Sequence, residues 1–169
     1  MNYFRIQQET RAPDLIFSKA KGEQSKQKRG SDFLYFNVEM KQYPLDYLLP
    51  IYFKPVWMVN QYVKKVFGVA ETSIEFTPCI ISPKGSKSTL VQFAFDMAAT
   101  DCLHEETKYD KNGFIQEIVL DERKIAQKKI IKLEHRRQPY LFFDMEVLEL
   151  LLISGIHEFQ YEQVAVAGE

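Results

Sequence analysis

Residues 138–166, QPYLFFDMEVLELLLISGIHEFQYEQVAV, are the stretch from which we predict the fold. The apolar run at 140–143 is typical of a buried strand. Asp144 follows that run, and its carboxylate can accept hydrogen bonds from the free amides of a first helical turn. Apolar side chains then recur at helical spacing, at Val147, Leu148, Leu151 and Leu152. The stretch therefore predicts a strand that leads directly into a helix.

The helix is expected to end at Gly155, because glycine readily adopts the left-handed conformation found at many helix ends. Aromatic residues then alternate with polar ones over 159–162, which indicates a second strand. The same pattern occurs earlier, where a strand is expected at 55–59, Asn60 stands at the capping position and Gly68 is expected to end the helix. The chain thus contains two strand–helix–strand patterns.

The two patterns align at a fixed spacing. Pro55 aligns with Pro139 and Asn60 with Asp144, both 84 positions apart (139 − 55 = 144 − 60 = 84). After one inserted residue, the apolar residues of the second strands align as well. We interpret the patterns as two copies of one unit, and chance similarity between two common motifs is the alternative.

The rest of the sequence favours strands. Apolar residues at 74–81 and 89–95 flank a turn-forming segment with Pro and Gly, which predicts a hairpin. We therefore expect an α+β fold with a mixed or largely antiparallel sheet and few helices, the clearest near 60–67 and 144–153. A chain of 169 residues, of which 46% are hydrophobic, can bury a substantial core.

We expect a single domain over residues 1–169, with an N-terminal part at 1–51 that contains a basic loop at 19–31, and two small domains that share a core are the alternative. The formal net charge of −1 argues against a protein built mainly to hold nucleic acid. The basic loop also lacks the interleaved aromatic residues that stack on bases. We therefore do not expect nucleic acid to be the partner.

The two cysteines, Cys79 and Cys102, form neither a disulfide framework nor a zinc-binding spacing. The N-terminus has no basic leader with an apolar stretch behind it, and the longest apolar run, 147–153, is too short to span a bilayer. The sequence thus predicts a reduced cytoplasmic protein that has no membrane partner.

The chain contains none of the motifs of phosphate-binding loops, dinucleotide sites, zinc proteases or serine hydrolases. Cys102 with His104 is the one candidate for a thiol nucleophile beside a base. The alanine and leucine neighbours of Cys102 are more typical of a core than of an active site. We therefore expect no enzymatic activity, no metal site and no cofactor.

Acidic residues cluster after the predicted hairpin, at Asp96, Asp101, Glu105, Glu106 and Asp110. Three interpretations stay open: a solvated face, which is the commonest outcome for a run of charges, a surface for a basic protein partner, and a site for a hard cation. The cation interpretation lacks the alternating oxygen ligands and the sharp-turn glycine of a calcium loop.

Four segments in order, VWMVNQYVKKVFG…SIEFTPCII, ATDCLHEETKYD, FIQEIVLDERKI and PYLFFDMEVLELLLISGIHEFQYEQV, cover about residues 52–166. Their most specific piece is Asp101-Cys102-Leu103, followed by acidic residues and Thr107. This order resembles immunity-protein family eleven, whose members are bacterial proteins encoded beside polymorphic toxins. His104 stands where the pattern of that family leads us to expect a second aspartate.

The resemblance implies a non-enzymatic immunity protein that binds and neutralises a cognate toxin in the cytoplasm, with residues 52–166 as the immunity-like core. We expect the toxin-facing surface to include the loop 101–110, with exposed carboxylates and an aromatic anchor. Clustered carboxylates complement the basic clefts of toxins that act on nucleic acids. The predicted partner-binding residues are Asp101, Glu105, Glu106, Tyr109 and Asp110, with both glutamates and Asp110 exposed.

Two other classes of protein stay open. One is an enzyme of unrecognised type that uses the acidic segment 96–110. The other is a regulatory or nucleic-acid-binding module that uses the basic segments 19–29 and 123–137.

Overall fold

The computed structural model of the protein describes residues 2–9, 16–19, 33–39, 49–54, 56–83 and 89–168. The chain forms two compact units, and each is built from segments that are distant in sequence. Unit 1 consists of residues 1–7, 66–74 and 97–169, and unit 2 consists of residues 8–65 and 75–96.

Strands dominate the described residues. In chain order the strands are β1 (Tyr3–Gln8), β2 (Ile16–Lys19), β3 (Leu34–Glu39), β4 (Ile51–Tyr52), β5 (Met58–Val59), β6 (Glu75–Pro83), β7 (Leu90–Asp96), β8 (Lys108–Tyr109), β9 (Ile115–Glu117), β10 (Val119–Asp121), β11 (Ile130–His135), β12 (Gln138–Asp144) and β13 (Phe159–Ala167). The helices are α1 (Gln61–Ala70), α2 (Glu122–Ile125) and α3 (Met145–Ile153). The predicted α+β fold with few helices is therefore confirmed.

Each unit is organised around one main sheet. The sheet of unit 1 has the strand order β10-β13-β1-β12-β11, and the sheet of unit 2 has the order β2-β3-β6-β7-β5-β4. Both sheets combine parallel and antiparallel pairs, as predicted. Strands β6 and β7 pair antiparallel, which confirms the predicted hairpin, while β8 and β9 form a separate hairpin in unit 1.

Five strands of each main sheet have corresponding places, while β2, at the edge of the sheet in unit 2, has no counterpart among the strands described in unit 1. In unit 2, the strands before and after α1 are β5 and β6, and β7 lies between them. In unit 1, the strands before and after α3 are β12 and β13, and β1 lies between them. The outer strands correspond too, because β4 and β11 pair antiparallel with β5 and β12, whereas β3 and β10 pair parallel with β6 and β13. The two predicted strand–helix–strand units thus occupy equivalent places.

The pairing registers support a duplication. Tyr35 in β3 pairs with Ile80 in β6, and Val119 in β10 pairs with Ala165 in β13. The first members are 84 positions apart (119 − 35 = 84) and the second members 85 (165 − 80 = 85). The offset of 84 equals that of the aligned caps, Asn60 and Asp144. The offset of 85 equals that of the second strands, which follow one inserted residue. Because β3 and β10 lie outside the aligned stretches, the agreement supports the interpretation of two copies of one unit.

The two copies differ in the place that one strand has along the chain. In unit 2, β7 follows β6 directly, whereas its counterpart β1 precedes every other strand of unit 1. Strand β1 is central in its sheet and runs antiparallel to β12, with Phe4 opposite Phe143. The two units are therefore related by a circular permutation.

The caps of the two long helices occupy equivalent positions. The Asn60 Oδ1 atom accepts a hydrogen bond from the Val63 amide at 2.9 Å, and the Asp144 Oδ1 atom accepts one from the Val147 amide at 2.9 Å. Both valines are buried, and they are again 84 positions apart (147 − 63 = 84). Both predicted caps are therefore confirmed.

Of the two predicted helix ends, one is correct. Gly155 follows α3 with a φ of 79°, in the left-handed conformation that was the basis for the prediction. The end predicted at Gly68 is wrong, because α1 continues to Ala70 and the Glu71 amide donates to the Phe67 carbonyl at 2.8 Å. Phe67 is fully buried, and its packing offsets the low helix propensity of glycine in the last turn.

Each unit has its own buried cluster. The cluster of unit 1 contains Tyr3, Cys102, Ile118, Leu120, Ile125, Ile131, Leu133, Tyr140 and Phe142. The cluster of unit 2 contains Phe36, Leu49, Tyr52, Met58 and Cys79. Several sequence predictions, on the basic loop at 20–31, on Pro55 and on the turn at 84–88, lie outside the described residues.

Asp144 carries a desolvation cost that a neutral cap such as Asn60 avoids. Burial raises the pKa of the Asp144 carboxyl, whereas the hydrogen bond from the Val147 amide acts in the opposite direction and Glu146 adds to the rise. A carboxyl whose pKa rises on folding opposes folding when it ionises. The stabilising contribution of Asp144 is therefore present at acid pH. It is lost as the pH rises from the pKa of this carboxyl in the unfolded chain through its higher pKa in the folded protein.

Asp144→Asn is expected to keep the cap and to be at least as stable as the wild type at pH 7. Asp144→Ala lacks a cap, and its free energy of unfolding should be lower by about 1 kcal/mol. Urea unfolding at pH 3 and pH 7 measures both effects, and the advantage of Asn over Asp should shrink at pH 3. An asparagine variant as unstable as the alanine variant at pH 7 would contradict the role of the cap.

Candidate functional site

The predicted binding segment, 101–110, begins as an extended stretch along β10, the outermost strand of the sheet in unit 1. Leu103 forms an antiparallel bridge with Leu120. Beside this bridge, the Asp121 amide donates a hydrogen bond of 2.9 Å to the Cys102 carbonyl. The beginning of the segment is therefore fixed to the sheet.

Two residues of the sequence motif at 101–107 stabilise the fold. Cys102 is fully buried in the cluster of unit 1. The buried Thr107 hydroxyl donates to the Val119 carbonyl at 3.0 Å and lies 3.3 Å from the Val119 amide, from which it accepts. These side chains hold the segment in place and are covered by the protein itself.

The thiol of Cys102 is not a candidate nucleophile. Burial raises its pKa to about 11, and Asp101 acts in the same direction. The thiolate that attacks a substrate is therefore almost absent at neutral pH. His104 is oriented by its own loop, because its Nδ1 atom accepts a hydrogen bond from the Glu106 amide at 3.3 Å. Within the described ranges, no group of His, Cys, Asp and Glu is arranged to hold a metal ion.

Three acidic side chains of the segment are exposed. Glu105 and Glu106 are exposed, as predicted. Asp101 is exposed as well, and its carboxylate lies 3.4 Å from the Lys124 ammonium group. An exposed ion pair of this kind contributes little to stability. A partner can therefore approach the carboxylates of Asp101, Glu105 and Glu106.

Asp110 is half-buried, and the prediction that it is exposed is wrong. Its Oδ1 atom accepts hydrogen bonds from the amides of Asn112, at 2.7 Å, and Phe114, at 2.9 Å. The carboxylate thereby fixes the β8–β9 turn, in which Gly113 has a φ of 77°. The turn predicted at Asn112-Gly113 is confirmed, and the physical role of Asp110 is to shape it.

The β8–β9 turn contacts the turn that joins β11 to β12. The His135 Nε2 atom lies 2.9 Å from the Gly113 carbonyl oxygen, and the Arg136 guanidinium donates to the Asn112 carbonyl. The same guanidinium lies 5.7 Å from the centre of the Phe114 ring, which is a cation–π distance. The two turns therefore stabilise each other.

Tyr109 joins the same contact. Its ring centre lies 5.4 Å from that of His135, with 38° between the ring planes. Tyr109 is 46% exposed and Phe114 is 47% exposed, so each ring is both held by the fold and open to a partner. We name this set of residues the hairpin-tip surface: Tyr109, Phe114, His135, Arg136 and Arg137.

Sequence reasoning identifies Tyr109 but misses its neighbours on the hairpin-tip surface. Asn112-Gly113 signals one turn, but it does not indicate what that turn contacts. The second turn carries no signal, because Arg136-Arg137 is not one of the Asn- or Gly-containing dipeptides typical of two-residue hairpins. The contact between the two turns is therefore visible in the structure and not in the sequence.

The basic segment 123–137 is not a continuous surface of free charges. Lys124 lies beside Asp101, and the Lys129 Nζ atom lies 2.7 Å from a carboxylate oxygen of Glu146. The hydrogen bond that Lys129 donates to Glu146 also raises the pKa of Lys129. Residues 20–29, most of the other basic segment, lie outside the described residues.

No protein-family model matches the chain, and no curated protein shows significant sequence similarity to it. In the part of the chain that the structure describes, no helix has the length and apolar character needed to cross a membrane. The geometry of the site suits binding, because it combines oriented rings with exposed carboxylates, and the thiol beside them is buried and protonated.

Proposed function

We propose that the protein is a non-enzymatic immunity protein that binds and neutralises a cognate bacterial toxin in the cytoplasm. One observation carries the proposal: the half-exposed ring of Tyr109 is held by His135 on the same segment as the exposed carboxylates of Glu105 and Glu106. The resemblance of residues 52–166 to immunity-protein family eleven suggests the class of partner.

The two parts of the segment support binding in different ways. A ring that the fold already orients loses little conformational entropy when a partner covers it, and tyrosine is common among residues that dominate binding energy. Exposed carboxylates attract a basic cleft and mainly speed the encounter. A protein that covers the cleft of a toxin neutralises it without any chemical step.

The test uses the toxin encoded beside the gene for this chain. Coexpression should protect cells from that toxin, and the purified proteins should form a complex whose rates are measured by surface plasmon resonance. Tyr109→Ala is expected to raise the dissociation rate about tenfold or more. Glu105→Lys combined with Glu106→Lys should slow association about tenfold at low salt, because rim charges act mainly on the on-rate.

Glu149→Lys combined with Glu162→Lys is the matched control. Both side chains are exposed in unit 1, on α3 and β13, so the variant changes the net charge by the same amount at other places. Its association rate should stay near that of the wild type. Asp110 is left unchanged because its carboxylate fixes a turn. If the wild-type protein neither binds the toxin nor protects cells, the proposal is wrong.

A further inference from the structure

The turn between β11 and β12 has an unusual backbone. His135 pairs with Gln138, so Arg136 and Arg137 form a two-residue turn, and their φ angles are 49° and 64°. Such turns need positive φ at both central residues and therefore favour Asn and Gly. For bulky side chains this conformation is strained, and strain of this kind is often found at functional sites.

The fold accounts for Arg136 but not for Arg137. The Arg136 guanidinium bonds to the Asn112 carbonyl and lies over the Phe114 ring, so it stabilises the contact between the two turns. Arg137 is exposed and makes no hydrogen bond or ion pair with any other residue that the structure describes. Arg137 thus occupies a strained backbone position, although its guanidinium forms no hydrogen bond or ion pair with the described residues that would stabilise the fold.

The surroundings of Arg137 have a defined chemistry. Lys111 is exposed in the facing turn, and the Asp110 carboxylate is already occupied by two backbone amides. Residues 110–113 and 135–137 thus carry three cationic side chains and one carboxylate, with Glu134 exposed directly before the second turn. The rings of Tyr109 and Phe114, each about half exposed, add apolar surface beside it.

We infer that the hairpin-tip surface docks an acidic segment of the protein partner, with Arg137 pairing to a carboxylate and the two rings packing against its neighbours. A guanidinium binds a carboxylate through two parallel hydrogen bonds, which gives both strength and orientation. Arginine and tyrosine are, with tryptophan, enriched among the residues that dominate binding energy at protein interfaces. The inference rests on the proposed function and specifies the chemistry of the partner at a second part of the surface.

Replacement of Arg137 by glycine is expected to increase the stability of the protein and to decrease its affinity for the partner. Arg137→Gly relieves the backbone strain and should raise the thermal midpoint of unfolding by about 2–4 °C. The same variant should weaken binding to the toxin encoded beside the gene at least tenfold. A residue with a merely structural role cannot show gained stability together with lost affinity.

Gln127→Gly is the matched control. Gln127 is also exposed with a positive φ, 67°, but it lies in the connection between α2 and β11. Glycine there should raise the thermal midpoint in the same way and leave the affinity for the toxin unchanged. If both variants weaken binding equally, the effect is not specific to the hairpin-tip surface and the inference is overturned.

A second measurement separates this inference from the proposed function. A capped twelve-residue peptide of alternating Glu and Ser, and an oligothymidylate of equal charge, are titrated into the protein while NMR follows the Arg137 side chain and the His135 ring. Shifts of the His135 ring with the peptide that disappear in Arg137→Gly support the inference even if the toxin does not bind. Shifts with the oligonucleotide alone, or with neither probe, overturn it.

The remaining outcome concerns the toxin itself. If the wild-type protein binds the toxin and Arg137→Gly binds it equally well, the proposed function stands and the inference about Arg137 is wrong. If binding falls in Arg137→Gly and the charge reversal at Glu105 and Glu106 slows association, the partner carries an acidic and a basic patch.

Discussion

Deletion of residues 1–9 is expected to unfold unit 1. The deletion removes β1, the central strand of the five-stranded sheet, together with the buried side chains of Tyr3, Phe4 and Ile6. Burial of one large apolar side chain stabilises a protein by about 1.5–3 kcal/mol, so three of them approach the typical total of about 5–15 kcal/mol. Hydrogen exchange should show that the amides of β11 and β12 lose their protection.

A circular permutant is the control for this deletion. It begins at residue 10 and carries residues 2–9 behind a flexible Gly/Ser linker that follows Gly168. Strand β1 lies beside β13 in the sheet, as β7 lies beside β6, so the relocated strand should return to the same place. Amide protection and cooperative unfolding should recover. A permutant that is as unfolded as the deletion would show that β1 and β7 are not equivalent.

Phe143→Ala has the second largest expected effect, a decrease of about 3–5 kcal/mol in the free energy of unfolding. Phe143 is fully buried, and its ring centre lies 5.2 Å from that of Phe67 in an edge-to-face arrangement, with 73° between the planes. The substitution removes this contact and leaves a cavity, which the surrounding residues fill only partly. Urea unfolding with an unchanged m value measures the loss.

Leu150→Ala is the matched control for Phe143→Ala, because Leu150 lies on α3 with 44% of its surface exposed. Its cost should be below about 1 kcal/mol. A double-mutant cycle with Phe67→Ala then isolates the ring contact, for which a coupling of about 0.5–1.5 kcal/mol is expected. Fully additive effects of the two substitutions would contradict direct packing of the rings.

The two long helices, α1 and α3, follow from the sequence because their signals are local. Asn60 and Asp144 each precede an apolar residue three positions later, and a cap acts only on the amides of its own first turn. The end of α1 is different, because Phe67 keeps the helix intact past Gly68 through a contact with a distant strand. At that end of the helix, tertiary packing outweighs the local helix propensity. The sequence of the helix alone does not show which distant residues it packs against.

The strands show the same limit more strongly. The apolar side chains of Tyr3, Phe4 and Ile6 suggest a short strand at the start of the chain, and β1 lies there. Its neighbours are β12 and β13, which these residues do not identify, since the pattern of apolar residues in one strand does not specify its partners. The hairpin-tip surface is hidden for the same reason, because Gly113 and His135 meet only through pairing elsewhere.

The duplication is weak in sequence because equivalent positions use different chemistry. Lys64 and Leu148 are 84 positions apart (148 − 64 = 84). The Lys64 ammonium group lies 4.0 Å from the centre of the Phe93 ring and 5.6 Å from that of Phe76, whereas Leu148 is simply buried. A lysine over aromatic rings and a leucine in a core both cover apolar surface. The two copies therefore share an arrangement of strands with few shared residues.

The permuted position of β1 has a consequence for the biosynthesis of the protein. Tyr3 lies opposite Asp144, which is 141 residues further along the chain (144 − 3 = 141). Pairs so distant in sequence close slowly, because the loop must form before its hydrogen bonds compensate for the lost entropy. During synthesis, β1 emerges before the other strands of unit 1, and the strands of unit 2 can pair with one another before β12 and β13 are made. Of the strands of unit 1, the one translated earliest is thus expected to be among the last to be placed.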